Sequence, residues 1–285
     1  MCVCESFNKI MALEGMDELK AFAGKLLQLR ENRKNHNQLP ATLPNLILAA
    51  DPGCGTSLHI RMLTQLLEET ELLPFMGEEK SFEWAITRKE DSFDYLLRRI
   101  HVAAGFYGQF CGVVGLDLSD ILDERWPASA IRLMEYVDAQ QGNILFVFVI
   151  PLKTNERLID RLKIGFASRT PIELISTPFP KSDFADSYIK KALAKRGIDM
   201  DQAAQDSIRT AIEKMTKSPA FDGYQSMQNL IDELTWHVAS KPQSDLLIRA
   251  ADVEFLEDYL KLFASRSHEG KRLIGFDFGG GIKDE

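Results

Sequence analysis

The sequence predicts an α/β domain built on a five-stranded parallel sheet, followed by an all-helical domain. Three observations carry this reading. Up to about residue 178, short apolar runs alternate with amphipathic stretches of helical period. After "TPFPKSD" the helical stretches continue and no further strong strand is read. Between the first apolar run and its helix sits a glycine turn, "ADPGCGTS". Strands alternating with helices imply a parallel sheet covered on both faces.

The elements follow in order. "LEGMDELKAFAGKLLQLRENRKN" places Leu19, Phe22, Ala23, Leu26, Leu27 and Leu29 at helical spacing, a helix over about Met16 to Asn35. "NQLPATLPN" breaks it with two prolines. "NLILAA" is the first strand, and "SLHIRMLTQLLEETEL" the helix after the glycine turn. "SFEWAIT" alternates and reads as the second strand, followed by the helix "SFDYLLRRIHVAAGF". "CGVVGLDLSD" is an apolar run ending in acids, the third strand. "PASAIRLMEYVDAQQ" is a helix with Pro127 at its start, where a missing N–H does no harm. "NILFVFVIP" is the fourth strand, "TNERLIDRLKIGF" a helix and "TPIELIS" the fifth strand. Four helices come next: "SDFADSYIKKALAKRG", "DQAAQDSIRTAIEKM", "YQSMQNLIDELTWHVAS" and "DVEFLEDYLKLFASR". The organisation expected is an N-terminal helix over 1–40, an α/β domain over 41–178, a helical lid over 179–266 and a flexible glycine-rich tail over 267–285.

Composition narrows the function classes. The net charge of -8 and a pI near 5.3 argue against broad binding to nucleic acid or to an anionic membrane, since both need a cationic face. The longest apolar runs are too short to span a bilayer. The N-terminus "MCVCESFNK" lacks a charged-then-apolar signal pattern, which places the protein in the cytoplasm. Cys54 and Cys111 flank strands and read as small buried thiols; Cys2 and Cys4 sit at a mobile terminus without partner ligands at metal spacing.

The chemistry centres on Asp51, Pro52, Gly53, Cys54, Gly55, Thr56 and Ser57. A strand, a glycine loop and a helix are the context a phosphate-binding loop needs. Loop N–H groups cradle phosphates and the helix N-terminus adds positive potential. Against the pattern G-x-x-x-x-G-K-[ST], Gly55 and Ser57 are in place, Ala50 stands for the first glycine, and Thr56 for the lysine. Ser57 takes the Mg²⁺-ligand position. The third strand ends in Asp117, about sixty residues on, where P-loop ATPases keep an acid of the Mg²⁺ shell. The next residue is Leu118, with Asp120 and Asp123 displaced in sequence. A tight strand-to-helix connection without any ligand is the competing reading of the loop.

The order of these motifs resembles an AAA+ ATPase of the CbxX/CfqX type, which includes the stage V sporulation ATPase and red-type Rubisco activases. "LPNLILAADPGCGTS" is similar to that family's phosphate loop, and "NILFVFVIPLKTNERLIDRLKIGFASRTP" to its sensor strand, following helix and "SRFP". "KRGIDMDQAAQDSIRTAIEKMTKSPAFDGYQSMQNLIDEL" resembles its helical lid, and "RLIGF" near Arg272 the end of that lid. The resemblance runs from about Leu13 to Phe276. It implies the AAA+ three-layer αβα fold with an all-α lid, ATP or ADP with Mg²⁺ as cofactor, and assembly with like or unlike AAA+ subunits around a protein partner. It puts Asp117 at the Walker B aspartate and Arg169 at the arginine finger that acts on a neighbouring subunit.

The departures from the family pattern point one way. The Walker A lysine is Thr56, the Walker B glutamate is Leu118, the polar sensor after the fourth strand falls on Val149, Ile150 and Pro151 with Thr154 or Asn155 next to them, and the lid arginine is Gln225 or Ser226. Removing one partner of a buried charge pair costs roughly 2–5 kcal/mol. Losing a general base costs about 10²–10⁴-fold in rate. Arg61, Arg88 and Lys89 are candidate replacement cations, and His59 in the helix after the loop reads as solvent-facing or core-edge. The leading expectation is a degenerate ATPase, with nucleotide bound weakly or not at all, that serves as scaffold or regulatory subunit. The alternatives are an active remodelling ATPase with unusual ligands and a nucleotide-independent interaction domain.

Overall fold

The computed structural model describes residues 4–13, 15–35, 43–122, 126–166, 171–179, 182–218, 220–241 and 246–265. Contacts divide the chain into two compact units. One holds the α/β part, through Asp51 and again over Gly55–Pro178. The other joins the helices from Phe179 onward with the three loop residues Pro52–Cys54.

In the α/β unit, strands β1 (Asn45–Ala50), β2 (Ser81–Ala85), β3 (Gly112–Asp117), β4 (Ile144–Pro151) and β5 (Ile172–Thr177) form one sheet in the order β2-β3-β4-β1-β5. Every neighbouring pair is parallel. The central strands are apolar on both sides, yet their residues divide by alternation. Leu46 and Leu48 of β1, Val113 of β3 and Leu145, Val147 and Val149 of β4 enter one core. Helices α1 (Glu5–Met11), α2 (Asp17–Asn35) and α3 (Thr56–Thr70) cover that face. Ile47 and Ala49, Val114 and Leu116, and Phe146, Phe148 and Ile150 enter the other. There α4 (Ser92–Ala104), α5 (Ala128–Ala139) and α6 (Glu156–Phe166) close the third layer. Continuous apolar strands are what a doubly covered parallel sheet requires. Aromatic rings fill the second core: Phe148 lies 4.4 Å from Phe166, which meets Trp126 edge-on at 5.9 Å.

Helix α1 is an addition to the expected pattern. Ser6 is buried and its Oγ donates to Glu69 at 2.7 Å, tying α1 to the end of α3. Cys4, expected at a mobile terminus, is buried against this layer. Cys54 and Cys111 are buried as expected, and no cluster of three metal-ligating side chains occurs among the described residues.

In the helical unit, α7 (Ser182–Lys195), α8 (Gln202–Lys217), α9 (Gly223–Ala239) and α10 (Leu256–Ser265) share one core that includes Ile189, Ile208, Met227, Leu230 and Phe263. A small parallel pair, β6 (Asp199–Met200) and β7 (Leu247–Ile248), accompanies them. These two-residue strands carry too little periodic signal to be read from sequence. The glycine-rich tail falls outside the described residues. No described helix is long and apolar enough to cross a membrane.

Candidate functional site

In open parallel sheets, ligand crevices lie outside the carboxyl ends of the strands. The loop after β1 is at that edge. Gly53 has φ +71° and Gly55 φ +88°, left-handed conformations that a side chain resists. Gly55 is the N-cap of α3 and has no side chain to cap the helix. Two left-handed glycines in the loop thus turn the chain from β1 into α3.

Its side chains tell a different story. Thr56, at the lysine position, is the first residue of α3 and only 3% exposed. Ser57 Oγ donates to Glu83 Oε2 at 2.7 Å. Glu83 lies mid-strand in β2, opposite Gly115 of β3, and is 8% exposed. A Cβ on Gly115 would come within 3.1 Å of Glu83 Cγ and 2.7 Å of Ile60 Cδ1, so glycine there makes room for both side chains. Burial pushes the Glu83 carboxyl above its usual range, and the Ser57 hydrogen bond and the Arg61 charge only partly offset this.

Asp117 ends β3 and is 4% exposed. Its Oδ1 accepts from Ser119 N at 2.9 Å and from Ser119 Oγ at 2.5 Å. By strand alternation Asp117 shares the face of Val113 and Gly115, which is the α3 face. Leu118 falls on the opposite face. It is fully buried in the apolar core with Leu116 and Ile121.

The remaining candidates are committed locally. Arg88 Nε donates to the Asp120 carbonyl at 2.9 Å, and Arg88 N to Asp120 Oδ2 at 3.2 Å. Arg61 Nε reaches the Ser57 carbonyl at 3.4 Å, one helical turn back. Thr154 Oγ1 donates to the Pro151 carbonyl and Asn155 Oδ1 accepts from Arg157 N, a turn and a helix start. His59 is a core residue, 2% exposed, with burial lowering its pKa to about 4. Its Nδ1 meets no hydrogen-bond partner among the described residues. Arg169 and Asp123 lie outside the described residues.

Within the helical unit, Gly53 meets the start of α9. Tyr224 N donates to the Gly53 carbonyl at 2.8 Å. A Cβ on Gly53 would lie 2.1 Å from the Asp222 carbonyl oxygen; one on Gly223, at φ +47°, would lie 2.3 Å from the Gly53 carbonyl oxygen and 2.9 Å from that of Pro52. Two backbones touch here, and each supplies a glycine. Beside them, Ser226 is buried and its Oγ accepts from Asp222 N at 2.8 Å, while Gln225 Nε2 donates to Asn229 on the outer side of α9.

Sheet order, loop shape and helical follow-on can now be set beside known structures. A proline-to-glycine mutant of Thermotoga maritima RuvB aligns with a TM-score of 0.51 at 15% identity, over 91% of this chain and 75% of that one. An alanine-to-serine mutant of the same protein gives 0.49 at 14%, over 84% and 69%. This is the AAA+ P-loop fold. At such identity the likeness concerns fold alone. No protein-family model matches the chain, and no curated protein matches it.

Glu83 and the Gly53–Gly223 contact are the parts of the site that reading by motif misses. "SFEWAIT" alternates as a half-exposed strand would, yet its mid-strand carboxylate, Glu83, is only 8% exposed and is held by Ser57 of α3.

Proposed function

We propose that this chain is a catalytically degenerate AAA+ module, acting as scaffold or regulatory subunit of an oligomeric cytoplasmic assembly with a protein partner still to be identified. The observation that carries the reading is the pairing of Ser57 with the buried Glu83 in a loop that has no lysine. The resemblance in motif order to the CbxX/CfqX type supports it, with the α/β domain over 41–178 and the lid over 179–266.

The residues fit the shape of an ATP·Mg²⁺ site and not its charge. Gly53, Gly55 and the start of α3 have the cradle geometry, and Ser57 and Asp117 are acceptable Mg²⁺-shell groups. Thr56 can offer a hydroxyl but no charge to the phosphates. Glu83 adds a carboxylate at the serine. Leu118 offers no base and is buried in the apolar core. The chain's own residues therefore supply position without charge stabilisation, which is the larger part of phosphoryl-transfer catalysis. In this reading Arg169 serves a neighbouring active subunit as its arginine finger.

An ATPase assay on the purified chain, alone and mixed with an active AAA+ subunit, tests the proposal. Turnover by the isolated chain is expected to stay at the buffer background. Robust turnover that Asp117→Ala abolishes would contradict it.

A further inference from the structure

We infer that Glu83 is the residue that excludes anionic ligands from the loop: its carboxylate holds the Ser57 hydroxyl and sets a negative charge where a phosphate-binding loop has a positive one. This rests on the degenerate reading of the site and deepens it, because it names a group that enforces the degeneracy rather than a group that is missing.

The geometry is specific. Glu83 Oε2 is 2.7 Å from Ser57 Oγ, the second residue of α3. The carboxylate therefore lies at the helix start toward which a P-loop directs phosphates. The facing position on β3 is Gly115, which leaves Glu83 space to extend along the sheet toward α3. The positive potential of the α3 N-terminus is thereby directed at a resident side chain. Arg61 is the cation whose charge acts on Glu83, and it is exposed. Asp117, on the same face two residues beyond Gly115, adds a second acid. A lost lysine alone leaves a loop without a cation that still presents N–H groups. A lost lysine together with Glu83 leaves a loop that repels phosphate. Glutamine at 83 keeps an oxygen for the Ser57 hydroxyl and removes the charge, so it separates the two situations.

The test is calorimetric titration of the full chain with ADP, first in EDTA and then in excess Mg²⁺. Glu83→Gln is expected to bind ADP at least about tenfold more tightly than the unmodified chain in EDTA, where the bare nucleotide meets the full repulsion. Glu83→Asp, which keeps the charge, is expected to stay as weak as the unmodified chain. A gain on removing a charge is not what a merely structural role would produce. Glu83→Met, of similar length, repeats the measurement should the glutamine variant melt without cooperativity. The unmodified chain offers an independent reading, since adenosine is expected to bind it at least as well as ADP. Folded Glu83→Gln with no gain, or ADP bound about tenfold more tightly than adenosine by the unmodified chain, overturns the inference. Either result leaves the degenerate reading to be judged separately, by whether the unmodified chain hydrolyses ATP.

Discussion

Replacing Gly223 by alanine is expected to destabilise the helical unit by about 3–5 kcal/mol, the sum of a left-handed backbone penalty and a backbone clash. The first part comes from φ +47°, which a Cβ resists. The second comes from the Gly53 carbonyl oxygen, 2.3 Å from where that Cβ would stand; the clashing atom is backbone and cannot rotate away. Relief requires α9 to withdraw, and withdrawal breaks the Tyr224 N–H bond to Gly53 at 2.8 Å. Gly197 is the internal control. It has φ +73° in the same unit, and an added Cβ would meet nothing within 4 Å. Gly197→Ala therefore carries the backbone penalty alone, about 1–2 kcal/mol. Urea unfolding of the two variants, followed by far-ultraviolet circular dichroism, checks the difference. Equal midpoints would mean that the Gly53–Gly223 contact contributes nothing.

His59→Leu is expected to flatten the loss of stability in mild acid. Burial lowers the pKa of His59 from 6.5 to about 4. The folded chain thus binds fewer protons than the unfolded chain between those values, and stability falls as pH falls through that window. A shift of this size corresponds to about 3 kcal/mol lost by the time the pH reaches 4. Glu83 acts with the opposite sign. Its raised pKa adds stability at low pH, which fades as pH rises from 4.5 through the folded value. Leucine at 59 removes the titration and also the buried Nδ1 that finds no partner among the described residues. The variant should match or exceed the parent at pH 7.5 and exceed it clearly near pH 4.5, by chemical unfolding at both values. Parallel pH profiles would show that His59 binds its proton in the fold as readily as in the unfolded chain.

Much of the fold is legible because its signals are local. The runs "NLILAA" and "ILFVFVIP" are too short for helices of ordinary length and too apolar for an exposed edge, so they belong in the middle of a covered sheet. Their neighbour relations are not local. That β1 lies between β4 and β5 follows from tertiary packing. The same limit governs the site. The glycine loop and Asp117 stand out by spacing. Glu83, Gly223 and Leu118 matter through what they face across the fold. One is buried by a helix distant in sequence, one touches a loop 170 residues away, and one turns into the opposite core. Helical spacing alone does not say how deep a face is covered, so the sequence places His59 at the surface or core edge; at 2% exposure it is core.

The central claim is that the loop keeps the shape of a nucleotide site and has lost its charge. Calorimetric titration of the full chain with ATP and excess Mg²⁺ tests this most directly, because binding precedes every mechanistic question. The expected result is no saturable heat below about millimolar ATP, since the missing lysine contact alone removes roughly 2–5 kcal/mol. Stoichiometric binding at micromolar concentration, lost in Ser57→Ala, would contradict the account.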